Sequence, residues 1–181
     1  EVMARAPGTQ VYIDANNNGT YTDAGDVNGT TIGEGQTVYL NGGVQQGAKV
    51  VASKPVQVFL MTGVIGSNYE NRSFQVFPTE GLVNDYIAPA SAARASGTPS
   101  YATVLYLFNP QATSITVTVQ TSAGSTNYTI PAGSLLTPAP VLANGQTARV
   151  PSPSTFAALA GIGTRETAAN SLNYDWGYSL L

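Results

Sequence analysis

The 181-residue chain contains no cysteine and no histidine. Lack of cysteine excludes disulfides, thiolate nucleophiles and thiolate metal sites. Lack of histidine removes imidazole as a base and as a metal ligand. Stability must come from packing, or from ions held by oxygen ligands. Charge is scarce too: 9% of residues are charged, against about 25% in an average domain. Seven basic against ten acidic residues leave a net charge of −3, so no nucleic acid partner is expected. No apolar run reaches the roughly 18 residues that a membrane span needs. No signal-peptide pattern opens the chain, so Glu1 reads as a mature terminus or as an imposed boundary.

What is present is Thr, Ser, Asn, Gln and Gly. A surface of these residues repels its neighbours weakly. The composition therefore points to an extracellular or cell-surface protein that either self-associates, as a homo-oligomer or filament, or carries glycans. Four N-x-[ST] sequons, at Asn18, Asn28, Asn71 and Asn127, are the candidate glycosylation sites.

The hydrophobic period is 2. β-Branched and aromatic runs lie at 36–42, 48–63, 73–78, 102–110, 114–124, 126–133 and 146–152, separated by Gly, Pro and Asn. In "SITVTVQ", Ile115, Val117 and Val119 take one face and Thr116 and Thr118 the other, as in a half-buried antiparallel strand. The fold class is all-β, with short strands forming sandwiches. "PSTFAALAGIG" (153–163) has the composition of a helix.

An internal repeat overrides that helix. Under a shift of 98 residues Gly35 falls on Gly133, Gly47 on Gly145, Pro55 on Pro153 and Gly63 on Gly161. "PSTFAALAGIG" then lies over "PVQVFLMTGVIG", a strand pattern, so a strand is expected there. Further upstream, "TQVYI" (9–13) aligns with "TVLYL" (103–107). The expected architecture is two tandem, related antiparallel β-sandwich units (jelly-roll or Ig-like), 1–92 and 93–181, packed together. The linker is the Ala/Ser/Gly/Pro-rich 89–100.

"DANNNGTYTDAGD" (14–26) has the donor spacing of a calcium loop. Asp14, Asn16, Asn18, Gly19 and Thr20 fit the first, third, fifth, sixth and seventh positions of such a loop. Gly25 stands where a bidentate Glu is expected, leaving Asp23 and Asp26 as replacements. A hairpin with an Asn-Gly turn accounts for the same residues without a metal. The stretch resembles the D-x-N-x-N-G calcium loops set on β-hairpins in bacterial surface repeats. The resemblance implies Ca²⁺ held by Asp14, Asn16, Asn18, Thr20, Asp23 and Asp26. The aligned stretch of the second repeat, "FNPQATS", has no Asp.

A second stretch, "ASKPVQVF" followed by "TG", resembles the "SDKPVAVFSG" signature of the domain at the N-terminus of IgGFc-binding proteins, found in many bacterial and archaeal surface proteins. The later "VNDYIAPA" (83–90) fits that domain's Pro-containing segment. The resemblance covers 47–90 and implies a β-rich extracellular module for adhesion or assembly.

No catalytic motif is present. Nothing in the sequence sets Asp23/Asp26, Glu70, Glu80/Asp85, Glu166 or Asp175 as a pair across a cleft, and an enzyme is not expected. Glu70 and Arg72 recur loosely as Arg165 and Glu166, which suggests loop-capping ion pairs. In "NYDWGYSLL" the residues Tyr174, Trp176, Tyr178 and Leu180 share one face. That strand reads either as a core-facing edge or as an assembly strand that pairs with a neighbouring subunit. The expected function is a non-enzymatic structural subunit of a filament, sheath or surface layer. The alternative is an adhesin or carbohydrate-binding module of a larger surface protein.

Overall fold

A computed structural model describes residues 1–40, 42–62, 72–89, 102–162 and 176–180. It is all-β, with four antiparallel sheets. The single helical turn among the described residues is a 3-10 turn at Thr79–Gly81. The chain divides into two compact units, Glu1–Leu60 and Met61–Leu181.

The first unit holds β1 (Val2–Ala4), β2 (Thr9–Asp14), β3 (Val27–Ile32), β4 (Thr37–Val38), β5 (Lys49–Ala52) and most of β6 (Val56–Thr62). Strands β4-β1-β6 form one sheet and β3-β2-β5 another. Both sheets turn apolar residues into one cluster: Val2 and Ala4 from the first, Val11, Ile13 and Ile32 from the second. Alternation drives this. In "TQVYID", Thr9, Val11 and Ile13 are buried while Gln10 is exposed. Two sheets facing one cluster is a sandwich-like arrangement.

The second unit holds β7 (Arg72–Val76), β8 (Asp85–Ala88), β9 (Thr103–Phe108), β10 (Ile115–Thr121), β11 (Gly124–Ile130), β12 (Val141–Leu142), β13 (Ala148–Pro151), β14 (Ala157–Ile162) and β15 (Trp176–Ser179). Its sheets are β12-β9-β14-β15 and β11-β10-β13-β8. The larger core lies between them, with Leu105, Leu107 and Ala160 from one sheet and Val117, Ile130 and Val150 from the other. The residues 157–162 are a strand, as the repeat required against the alanines. Ala158 and Ala160 are buried beside Leu107 and Leu105. Cross-strand packing outweighs helix propensity there.

Pairing order repeats with an offset of eight strands. β4-β1-β6 matches β12-β9-β14, and β3-β2-β5 matches β11-β10-β13. The landmarks keep their places. Gly35 and Gly133 (φ +70° and +61°) precede β4 and β12, Gly47 and Gly145 precede β5 and β13, and Pro55 and Pro153 precede β6 and β14. Gly63 lies outside the described residues.

One sequence alignment changes. "TQVYI" is β2, whose topological counterpart is β10, not the β9 stretch "TVLYL". The two share apolar alternation, but a strand's place is set by its partners and not by its own pattern. The division after Leu60 also differs from the expected 92/93 boundary: β8 (Asp85–Ala88) pairs with β13, in register Ala88↔Ala148 to Asp85↔Pro151.

The C-terminal strand pairs within its own chain. β15 lies on β14, Leu159↔Ser179 to Ile162↔Trp176. Leu180 is buried in the core and its N–H donates to the Ala158 carbonyl at 3.0 Å. Tyr178 packs against that core and its hydroxyl donates to the Pro89 carbonyl at 3.2 Å. The core-facing reading therefore describes Tyr178 and Leu180, and Tyr174 lies outside the described residues.

Candidate metal site

β2 ends on Asp14, which is fully buried. Twelve residues, 15–26, then separate β2 from β3. In the second unit the equivalent strands β10 and β11 are joined by Ser122-Ala123 alone. The fold thus closes this hairpin with two residues, and the loop is an elaboration of one copy. The counterpart of the loop is this tight turn, not "FNPQATS".

The Asp14 carboxylate organises the first half of the loop. Oδ1 accepts the Asn18 N–H at 3.1 Å and Oδ2 accepts the Gly19 N–H at 2.8 Å. Asn16 Oδ1 also accepts the Asn18 N–H, at 3.2 Å. The backbone folds over Asp14 through two left-handed residues, Asn17 (φ +57°) and Gly19 (φ +87°). Glycine at the sixth position is what the turn of a calcium loop demands. Asp26 closes the neck: Oδ1 accepts the Ala15 N–H at 2.9 Å and Oδ2 the Asp23 N–H at 3.0 Å.

Asp23 is the hub. Its Oδ2 lies 3.0 Å from Thr20 Oγ1 and 3.4 Å from Asn16 Nδ2, and it also accepts from Asn18 Nδ2. Asn18 Oδ1 accepts the Thr20 N–H at 2.9 Å. Hydrogen bonds from Asn18 first, then Thr20 and Asn16, hold the Asp23 carboxyl below its ordinary value, against a smaller upward push from burial. All six side chains singled out from the sequence thus meet in one loop. Asp23 gathers Asn16, Asn18 and Thr20, and Asp14 and Asp26 brace the backbone.

Carboxylate, amide and hydroxyl oxygens are the kind of donor that a hard cation takes. Amide N and O are nearly isosteric. Turning the amides of Asn16 and Asn18 would present Oδ1 beside Asp23, but it would also set Nδ2 against the Asn18 and Thr20 N–H groups that now donate to Oδ1. Buried Asp14 meets backbone N–H groups, with no cationic side chain bonded to it among the described residues. Among those residues no three acidic groups converge on one point. A cation held here would meet a mostly neutral donor set, and such sites are weak.

A neighbouring loop packs on this one. The Gln45 N–H donates to the Ala15 carbonyl at 2.7 Å. Gly47 (φ +83°) presses against the Asn17 side chain, where a Cβ would collide. Between the loops opens a cleft of about 530 Å³ lined by Asn16, Asp26, Tyr39, Leu40, Val44 and Gln45. Tyr39 is 55% exposed. Sequence reasoning passed over this cleft; its signal was the Gly42-Gly43 pair beside a lone Tyr.

Of the sequons, Asn28 and Thr30 are exposed on β3, and Asn127 and Thr129 on β11. Asn127 Oδ1 accepts the Thr118 hydroxyl at 2.8 Å. Asn18 is engaged in the loop, and Asn71 lies outside the described residues, as do Glu70, Arg165, Glu166 and Asp175. Asp85 is occupied by Arg149, whose Nε and Nη2 donate to it at 2.9 and 2.5 Å. Comparison with known proteins found no matching family, no matching curated protein and no matching solved structure.

Proposed function

We propose that the chain is a non-enzymatic, extracellular structural subunit that assembles into a filament, sheath or surface layer through β-strand contacts, with Ca²⁺ stapling loop 14–26. The observation that carries the reading is the loop itself. Twelve residues braced on a buried carboxylate replace a two-residue turn in one of two equivalent hairpins. Such a loop serves binding or stability, since the fold does without it in the other copy. A chain without cysteine gains most from an oxygen-bound ion where calcium is abundant, in the range of about 10⁻⁴ to 10⁻³ M for extracellular modules. Sparse charge supports close association of copies, and the resemblance over 47–90 to surface-protein domains agrees with it. Electron microscopy and sizing of the purified chain with Ca²⁺ and with EDTA test the proposal. Calcium-dependent assemblies are expected; a monomer under both conditions at high concentration overturns it.

The cleft beside the loop supports a second reading, a carbohydrate-binding module. An exposed Tyr39 next to amide side chains offers a stacking face and hydrogen bonds. A glycan array read with and without Ca²⁺ tests this, and uniform silence removes it.

A further inference from the structure

The β2–β3 ladder breaks at one place. Val11 pairs with Thr30 and Ile13 with Val27, so Tyr12 alone stands opposite two residues, Asn28 and Gly29. This is a β-bulge, with Gly29 in the left-handed region at φ +68°. The equivalent ladder of the second unit, β10 on β11, runs from Ile115↔Ile130 to Thr121↔Gly124 without a shift. The fold thus closes this ladder without a bulge in the other copy. The bulge and the residue after it, Asn28-Gly29-Thr30, are one of the sequons. The bulge also has its own packing. A Cβ on Gly29 would stand 3.1 Å from the Tyr12 hydroxyl oxygen and 3.2 Å from two of its ring carbons. Any other residue at 29 would therefore be strained by its φ and pressed against the ring. Tyr21, from the 14–26 loop, meets Tyr12 edge to face with ring centroids 5.6 Å apart. Both tyrosines are half-buried.

The described sequons differ in what the asparagine amide does. Asn18 donates through Nδ2 to Asp23, and its Oδ1 accepts the Thr20 N–H and hydroxyl at 2.9 and 3.0 Å. Asn127 sits inside an unbroken ladder, and its Oδ1 accepts the Thr118 hydroxyl at 2.8 Å. The side chains of Asn28 and Thr30 are exposed and make no hydrogen bond among the described residues. An N-glycan is carried on the asparagine of an exposed N-x-[ST] segment, through its amide nitrogen. Of the described sequons, that at Asn28 alone offers a free amide, a break in the ladder and an aromatic ring directly across the strand.

We propose that Asn28 is an N-glycosylation acceptor and that Tyr12 holds the first sugar attached to it. The donor is a phosphate-activated sugar, and a glycosyltransferase of the cell joins its anomeric carbon to Asn28 Nδ2. The new C–N bond replaces the C–O bond to phosphate, which leaves with the electron pair, and the amide gives up one proton. Asn28 presents that nitrogen without breaking any bond of the folded chain. The C–H face of the first pyranose packs on the Tyr12 ring, and its hydroxyl groups stay in water. The proposal rests on the extracellular part of the functional reading and on neither calcium nor assembly.

The test is glycopeptide mass spectrometry of the chain purified from its native cells, with the cell fraction that holds it recorded. A glycan is expected on the peptide bearing Asn28, with Asn18 and Asn127 unmodified. Asn28→Gln and Thr30→Ala should each remove that mass from the intact chain, and Thr30→Ser should keep it. A chain found outside the cells with Asn28 bare overturns the proposal and leaves the extracellular reading standing; a chain confined to the cytoplasm overturns both. Tyr12→Ala should lower the melting midpoint of the glycosylated chain further than that of the Asn28→Gln chain, because only the first loses a sugar contact. Equal losses in the two backgrounds overturn the role given to Tyr12.

Discussion

Asp14 and Gly19 are joined by a 2.8 Å hydrogen bond from the glycine N–H to the buried carboxylate. This bond, with that from Asn18, turns the end of a strand into a closed loop. Replacing Asp14 by Ala leaves the Gly19 N–H without its acceptor, leaves the Asn18 N–H to Asn16 Oδ1 alone, and removes the most buried oxygen donor. The expected loss is about 1–3 kcal/mol, by the usual cost of unpaired buried groups. Thermal melts should also show that millimolar Ca²⁺ raises the wild-type midpoint and not that of Asp14→Ala. Identical wild-type melts in EDTA and in Ca²⁺ would sink the calcium proposal.

Gly47 links the two loops of the first unit. Its φ of +83° is strained for any residue with a Cβ, and that Cβ would run into Asn17 Nδ2. Gly47→Ala should lower stability by roughly 1–2 kcal/mol, the usual cost of holding an L-residue in the left-handed region. It should also weaken Ca²⁺ binding in calorimetry, although Gly47 offers no ligand. Unchanged calcium affinity would mean that the loops act independently.

Asn109 is the second unit's buried organiser. Its Nδ2 lies 2.8 Å from the Thr113 carbonyl and 3.0 Å from those of Ile130 and Pro131, and its Oδ1 accepts the Gln111 N–H at 2.9 Å. Asn109→Asp keeps the shape and removes the donors, setting a carboxylate against carbonyls. It should be more destabilising than Asn109→Ala, itself costing about 2–3 kcal/mol. Urea unfolding of the two variants checks the order.

Acid should act through Asp23 and Asp85. The Asp85 carboxyl is held below its ordinary value first by hydrogen bonds from Arg149, with burial opposing and their Coulomb attraction adding. A depressed folded value means that the unfolded chain binds the proton first as pH falls. Stability is therefore full above the ordinary carboxylate range, about 4, and declines as pH drops through the lower folded values. Both groups are exposed, so the decline should be shallow and reduced by salt. Arg149→Gln should remove the Asp85 part of it, as pH-dependent melts will show.

Tyr86 fastens β8 to the core. Its hydroxyl donates to the Phe156 carbonyl at 2.6 Å, and the two rings pack edge to face at 4.9 Å. Tyr86→Phe keeps the ring and should cost about 1 kcal/mol. Calorimetry should show a lower midpoint with binding of Ca²⁺ untouched.

Much was readable along the chain because it is local. Strict alternation announced β10, and the Gly and Pro landmarks at 35, 47 and 55 marked connections that recur at 133, 145 and 153. The donor spacing of 14–26 was enough to gather six side chains into one loop, since an Asx-rich loop is built by bonds between near neighbours. Partnership was not readable. Alternating strands look alike, so β2 could be laid over β9 until pairing showed that its equivalent is β10. "DYIA" carries no long apolar run, and only Tyr86 under Phe156 and Asp85 against Arg149 make it the outer strand of its sheet. Val50 is 37% exposed although it stands opposite buried Ile13, and nothing in "AKVVAS" itself announces that. Side-chain alternation is a property of a few consecutive residues; sheet order is decided by contacts between segments tens of residues apart, through burial and register.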